Sequence, residues 1–174
     1  MKLKEFLRSE LDREVERSRH ALEQIPEGKY DWKPHEKSMI FGYLANMVAT
    51  IPMWISMQID RDELDIAPTD GGKFEQKRLD TSAEFLEALD AAAGGARAAF
   101  DKTTDEHLMT NWQLKAGGNV VMEAPRHEMI QEIQKLTEDI RTLSYSSTKA
   151  AAEKIRHLQQ RRRELRAQFE AAEP

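Results

Sequence analysis

Along most of this chain the apolar residues recur at the three- and four-residue steps of an α-helix. Leu3, Phe6, Leu7, Leu11, Val15, Leu22 and Ile25 form one stripe with charges opposite, which predicts an amphipathic helix over residues 2–25. Pro26-Glu27-Gly28 ends it. The following run, YDWKPHEK at residues 30–37, has no period and holds a proline, so it reads as an ordered loop. Ser38 is placed to cap a second helix. That helix is predicted over roughly 39–63, with Phe41, Leu44, Met47, Val48, Ile51, Ile55 and Ile59 inward. Pro52 lies inside it, removes one backbone hydrogen bond and introduces a kink.

Residues 64–80 read as a connection. A third helix is predicted over 82–102, with Phe85, Leu86, Leu89, Ala93, Ala96 and Phe100 near one face. Gly94-Gly95 weakens its middle by roughly 1 kcal/mol per glycine relative to alanine, and close approach of a neighbouring helix is the expected compensation. Residues 112–122 carry the strand-like pattern, two short alternating runs around Gly117-Gly118, and predict a small hairpin. Pro125 suits the first turn of another helix.

Beyond Pro125 the register changes. Met129, Ile133, Leu136, Ile140 and Leu143 alternate by four and three, the seam of a coiled-coil-like helix. Ser144–Thr148 interrupts the seam, which Ile155, Leu158, Leu165 and Phe169 resume with Arg162 at the intervening core-type position. The phase slips by one residue between Leu143 and Ala151, which favours a helical hairpin or two helices joined by a bend over one continuous rod. The fold class expected is all-α: a helical bundle over 1–143 and a helical extension over 144–174.

Composition narrows the class. At 174 residues, with 40% hydrophobic and 33% charged, the chain suits one soluble globular domain with a sizeable core. No apolar run is long enough to span a bilayer and the first residues do not read as a signal peptide, so the default location is cytoplasmic. Having no cysteine excludes disulfides, thiolate nucleophiles and cysteine metal sites together. Charge is uneven: residues 1–125 carry 16 Lys+Arg against 23 Asp+Glu, whereas residues 126–174 carry 10 against 8.

Candidate chemistry is sparse. The five histidines, His20, His35, His107, His127 and His157, never stand three or four apart, the spacing that sets two ligands on one helix face. Gly71-Gly72, Gly94-Gly95 and Gly117-Gly118 do not continue into phosphate-binding loops, and Ser144-Tyr145-Ser146-Ser147 sits where a bend is expected. The acidic run Asp60–Asp65 reads as a solvated cluster at a helix end. Arg156, Arg161, Arg162, Arg163 and Arg166 make the strongest electrostatic feature. Arg156, Arg161, Arg163 and Arg166 could contact phosphates, but interleaved Glu164 and Glu170 favour a solvated helix face.

The run IPEGKYDWKPHEKSMIFGYLANMVATIP, residues 25–52, resembles the DinB-like superfamily of bacterial four-helix bundles (the damage-inducible family, not the DNA polymerase of that name). The likeness rests on Asp31–Met39, then Gly42-x-Leu44-Ala45, then Asn111-Trp112-x-Leu114-Lys115-Ala116-Gly117-Gly118 and Pro125-Arg126, and covers about the first 126 residues. It implies an up-down-down-up bundle, often dimeric, whose members hold zinc or nickel by three histidines and include thiol-dependent transferases and hydrolases. One ligand would come from a Leu-Ala-x-His pattern in the second helix, and two from a His-x-x-x-His pair on the last. Here Leu44-Ala45-Asn46 is followed by Met47, and no histidine lies between His127 and His157. A thioether is a poor donor for such ions and a good filler of core gaps. Met47, with Tyr43 and Trp54, is therefore read as packing in a vacated pocket; no catalytic or metal-binding residue and no cofactor are expected.

The reading that follows is a non-catalytic DinB-like protein acting by binding or self-association, a homodimer or a protein partner meeting it through the C-terminal helices. Two alternatives stand beside it: a metal-dependent thiol transferase or hydrolase with altered ligands, such as His35 with carboxylates, and a nucleic-acid binder acting through the arginine-rich C-terminal helix.

Overall fold

The computed structural model describes residues 2–33, 35–69 and 77–142. Six helices and a small three-stranded sheet make up the described residues, so the molecule is mostly helical. Helix α1 is Leu3–Glu23, and its buried face carries Leu7, Leu11, Val15 and Leu22 as the stripe predicts. Two charged or polar residues, Glu14 and Ser18, are buried with them.

The second helix is divided. α2 is Phe41–Thr50 and α3 is Pro52–Asp60, with Pro52 as the first residue of α3. Ile51 keeps a helical backbone between them and donates to Met47 O at 2.9 Å, so the break is the expected proline kink. Ser38 does not cap α2. The N-cap is Ile40, whose side chain cannot accept a bond, and the preceding loop does the capping instead. Phe41 N donates to Trp32 O at 3.0 Å and Gly42 N to Tyr30 O at 2.9 Å. Trp32 stacks edge-on against Phe41 with centroids 6.1 Å apart, and Arg78 lies 3.9 Å over the Tyr30 ring. Gly42 is obligatory here, since a Cβ would stand 2.1 Å from Tyr30 Cδ2.

Helix α3 ends three residues before the predicted boundary because the chain turns into a strand. β1 is Glu63–Asp65, at the junction of the expected helix and the expected connection; three residues are too few to show a period. Helix α4, Ser82–Lys102, falls where predicted and opens with a reciprocal cap between Thr81 and Glu84. Its glycines do not serve the expected close approach. Gly95 would meet only Ser56 Oγ, at 3.8 Å, and a Cβ on Gly94 would meet nothing within 4 Å. A short helix α5, Asp105–Leu108, precedes the hairpin of β2, Asn111–Ala116, and β3, Asn119–Pro125.

The hairpin turns on Gly117 and Gly118 at φ 60° and 79°, the left-handed pair that a two-residue turn requires. The sheet order is β1-β2-β3, with β1 parallel to β2 and β2 antiparallel to β3. Pro125 closes β3 and does not open a helix; the next helix, α6, occupies residues 126–142.

Along α6 the expected seam is displaced. Arg126, Met129, Ile130, Gln134, Thr137 and Ile140 are buried and Ile133 is half-buried, while Leu136 is 44% exposed. This is the ordinary 3.6-residue face of a helix laid on a globular core, not the narrower 3.5-residue coiled-coil stripe. Leu143, the Ser144–Thr148 bend and the extension over 144–174 lie outside the described residues.

End contacts give the helix directions. Arg8 pairs with Asp101, Asp12 with Arg97 and Arg19 with Asp90, so α1 and α4 run opposite ways. Gln134 donates to Leu7 O and Arg141 approaches Glu14, so α6 runs the same way as α1. The end of α3 meets α5 through His107 and Ile59 O, and α5 meets the start of α1 through Asp105, so α2–α3 opposes α1. One apolar cluster joins these helices, with Phe85, Phe100, Leu89, Val48, Ile55, Leu11 and Ile130 at its centre.

Candidate functional site

The chemistry at position 47 follows from the helix that carries it. Residues 38–59 contain no Asp, Glu, Lys or Arg, and the buried side of α2–α3 is lined by Phe41, Leu44, Ala45, Val48, Ala49, Ile55 and Ile59. Met47 does not lie at the middle of that side. It is half-buried and packs on the core from its edge, about 100° round the helix from Val48. Tyr43 is 47% exposed and Trp54 is half-buried. Positions 43, 47 and 54 are steps of four and seven, so the three side chains share one outer stripe and do not converge on an interior pocket.

The polar group that enters the core is Asn46, one residue earlier. It is buried, its Nδ2 donates to Lys77 O at 3.0 Å, and its Oδ1 has no hydrogen-bond partner. The signal for it in the sequence is a polar residue inside an apolar run.

The described histidines are dispersed. His20 is exposed beside Glu23, and His35 Nδ1 accepts from Lys37 N at 3.2 Å. His107 donates from Nε2 to Ile59 O at 2.9 Å, and His127 from Nδ1 to Leu108 O at 3.1 Å. These last two secure helix-end carbonyls that lack a partner within their own helices. His157 lies outside the described residues, as do Arg156, Arg161, Arg163 and Arg166. Among the described residues no group of three or more His, Asp or Glu is disposed to hold a metal ion.

The zinc or nickel that the resemblance implies would need donors that this stripe does not offer. A thioether, an exposed phenol and an indole occupy the stripe, and the adjacent residue Asn46 adds one buried amide oxygen, Oδ1. Hard or borderline divalent ions need several imidazole or carboxylate donors. The residues do not fit the group.

The acidic run at 60–65 lies in solvent at a helix end, as expected, and three of its carboxylates also hold partners. Asp62 binds Arg126, Glu63 pairs with Lys115, and the Asp65 carboxylate accepts from Ala67 N at 2.9 Å, Gly118 N at 2.7 Å and Gly117 N at 3.1 Å. The amides of Ala67 and Gly118 above all hold the Asp65 carboxyl below the usual carboxylate range. Arg126 is the member that sequence reasoning missed. The residue is 1% exposed, and its guanidinium donates to Gln58 O at 3.0 Å, Asn111 O at 2.8 Å, Arg61 O at 3.2 Å and Asp62 Oδ1 at 2.6 Å, and also to Thr110. Its charge is spent on orienting three segments.

A groove of about 640 Å³ lies between α1 and the end of α6, lined by Glu16, Arg17, His20, Ala21, Arg141 and Thr142. A smaller one of about 260 Å³ is lined by Ile59, Asp60, Lys102, Thr103, Thr104 and His107.

What these features define is a mostly helical protein with a small sheet clipped to one end. No helix among the described residues is long and apolar enough to cross a membrane. No protein-family model matches the chain, and no curated protein matches its sequence.

Proposed function

We propose that this is a DinB-like helical-bundle protein that does no metal chemistry and acts by binding or self-association, with its C-terminal helices as the partner surface. The observation that carries the reading is the identity and setting of residue 47: a half-buried thioether within residues 38–59, which hold no charged side chain, at the position where the resemblance calls for an imidazole. The directions of the four long segments support the family reading. α1 and α6 run one way and α2–α3 and α4 the other, which is an up-down-down-up order.

The basic excess beyond residue 125, against an acidic body, supports a C-terminal surface with its own role. Zinc or nickel titrated into the protein is expected to leave the melting temperature unchanged, because any ligand selective for the native state must raise it. A saturable rise of several degrees would favour the metal-dependent enzyme instead.

A further inference from the structure

Strand β3 is an edge. It has β2 on one side and no strand on the other among the described residues. Its central residues Val120, Val121 and Met122 are 48%, 57% and 51% exposed, on both faces of the sheet. Unprotected edges are normally blunted with charge, proline or a covering segment. Here the glutamate and proline come after the apolar triplet, at Glu123 and Pro125. A bulge falls within it: Met122 stands opposite Leu114 and Val120 opposite Lys115, so Val121 has no cross-strand partner in its own chain. A bulge twists an edge, but it does not cover apolar surface.

We infer that β3 is a self-association edge, and that its occupant is β3 of a second copy of this chain, running antiparallel about a two-fold axis at Val121. That register sets unlike polar groups across from one another and keeps the carboxylates apart. Centred on Val121, it places Val120 across from Met122 of the second copy and Asn119 across from Glu123 of the second copy, an amide beside a carboxylate. A register centred on Glu123 would set two carboxylates face to face.

The contact is small beside the roughly 1,600 Å² of a standard interface, so the dimer is weak and concentration-dependent. Each copy carries a net charge of −5, so added salt tightens the dimer by screening. The inference is independent of the family reading and of the C-terminal surface, and its test separates them.

The chain has no cysteine, so a single introduced thiol reports its own neighbourhood. Val121→Cys in the full chain, oxidised with copper phenanthroline and air, is expected to give a covalent dimer, since a residue on the two-fold axis meets its own copy. Leu136→Cys, at an exposed position on α6, is expected to stay monomeric. Sedimentation of the unmodified chain should show a dimer fraction that rises with concentration and with salt, and Val121→Lys should weaken it several-fold. A chain monomeric at every concentration overturns the inference. So does a dimer that cross-links through Leu136→Cys and not Val121→Cys, which would place the contact on the C-terminal helices.

Discussion

Arg126 and Asp62 form a one-sided ion pair: the guanidinium is sealed inside the protein while the carboxylate that meets it at 2.6 Å stands almost wholly in water. The arginine's remaining donors go to backbone carbonyls at the end of α3 and the start of β2 and to the Thr110 hydroxyl, so the pair fastens the sheet to the helices. Arg126→Met is therefore expected to cost about 3 kcal/mol or more, because several buried carbonyls lose their donor at once. Asp62→Ala should cost much less, as water takes over the exposed side. Urea unfolding of the two variants checks the order; equal losses would show that the carboxylate, and not the carbonyls, holds the clip.

The glycines of α4 and α2 should respond with opposite signs. Gly94 has open space where a side chain would go and a helical backbone, so Gly94→Ala is expected to stabilise the protein by roughly 0.5–1 kcal/mol. Gly42→Ala should destabilise it, since the Tyr30 ring occupies the space of the new methyl group. Denaturant midpoints report both.

Acid should loosen the hairpin through Asp65. Its carboxyl binds protons more weakly when folded than when unfolded, because amides of Ala67, Gly118 and Gly117 stabilise the ionised form. The contribution is fully present above the ordinary value near 3.8 and is lost as pH falls through that value towards the lower folded one. Hydrogen exchange at Gly117 and Gly118, read between pH 5 and 2, is expected to show protection falling across that window. In Asp65→Asn the dependence should be absent; an unchanged profile in that variant would assign it to another group.

Long helices were legible because their apolar stripes repeat often enough to outweigh any single residue, as α1 and α4 show. Their detail was not. Position 47 reads as inward from a list of apolar residues, yet the face centre is set by where α4 and α1 pack, and that favours Val48 and admits Asn46. Leu136 fits a heptad by spacing, but a helix laid on a globular core buries Ile130, Gln134 and Thr137 instead. Strand β1 is too short to carry a period, and Arg126 gives no local sign of burial, because its partners lie 15 to 68 residues away.

The proposed function depends on this bundle lacking a ligand set for a divalent ion. Elemental analysis of protein purified from metal-replete medium without chelators measures that directly. Zinc and nickel well below one ion per chain are expected. A stoichiometric ion that survives gel filtration would contradict the account and restore the metal-dependent alternative.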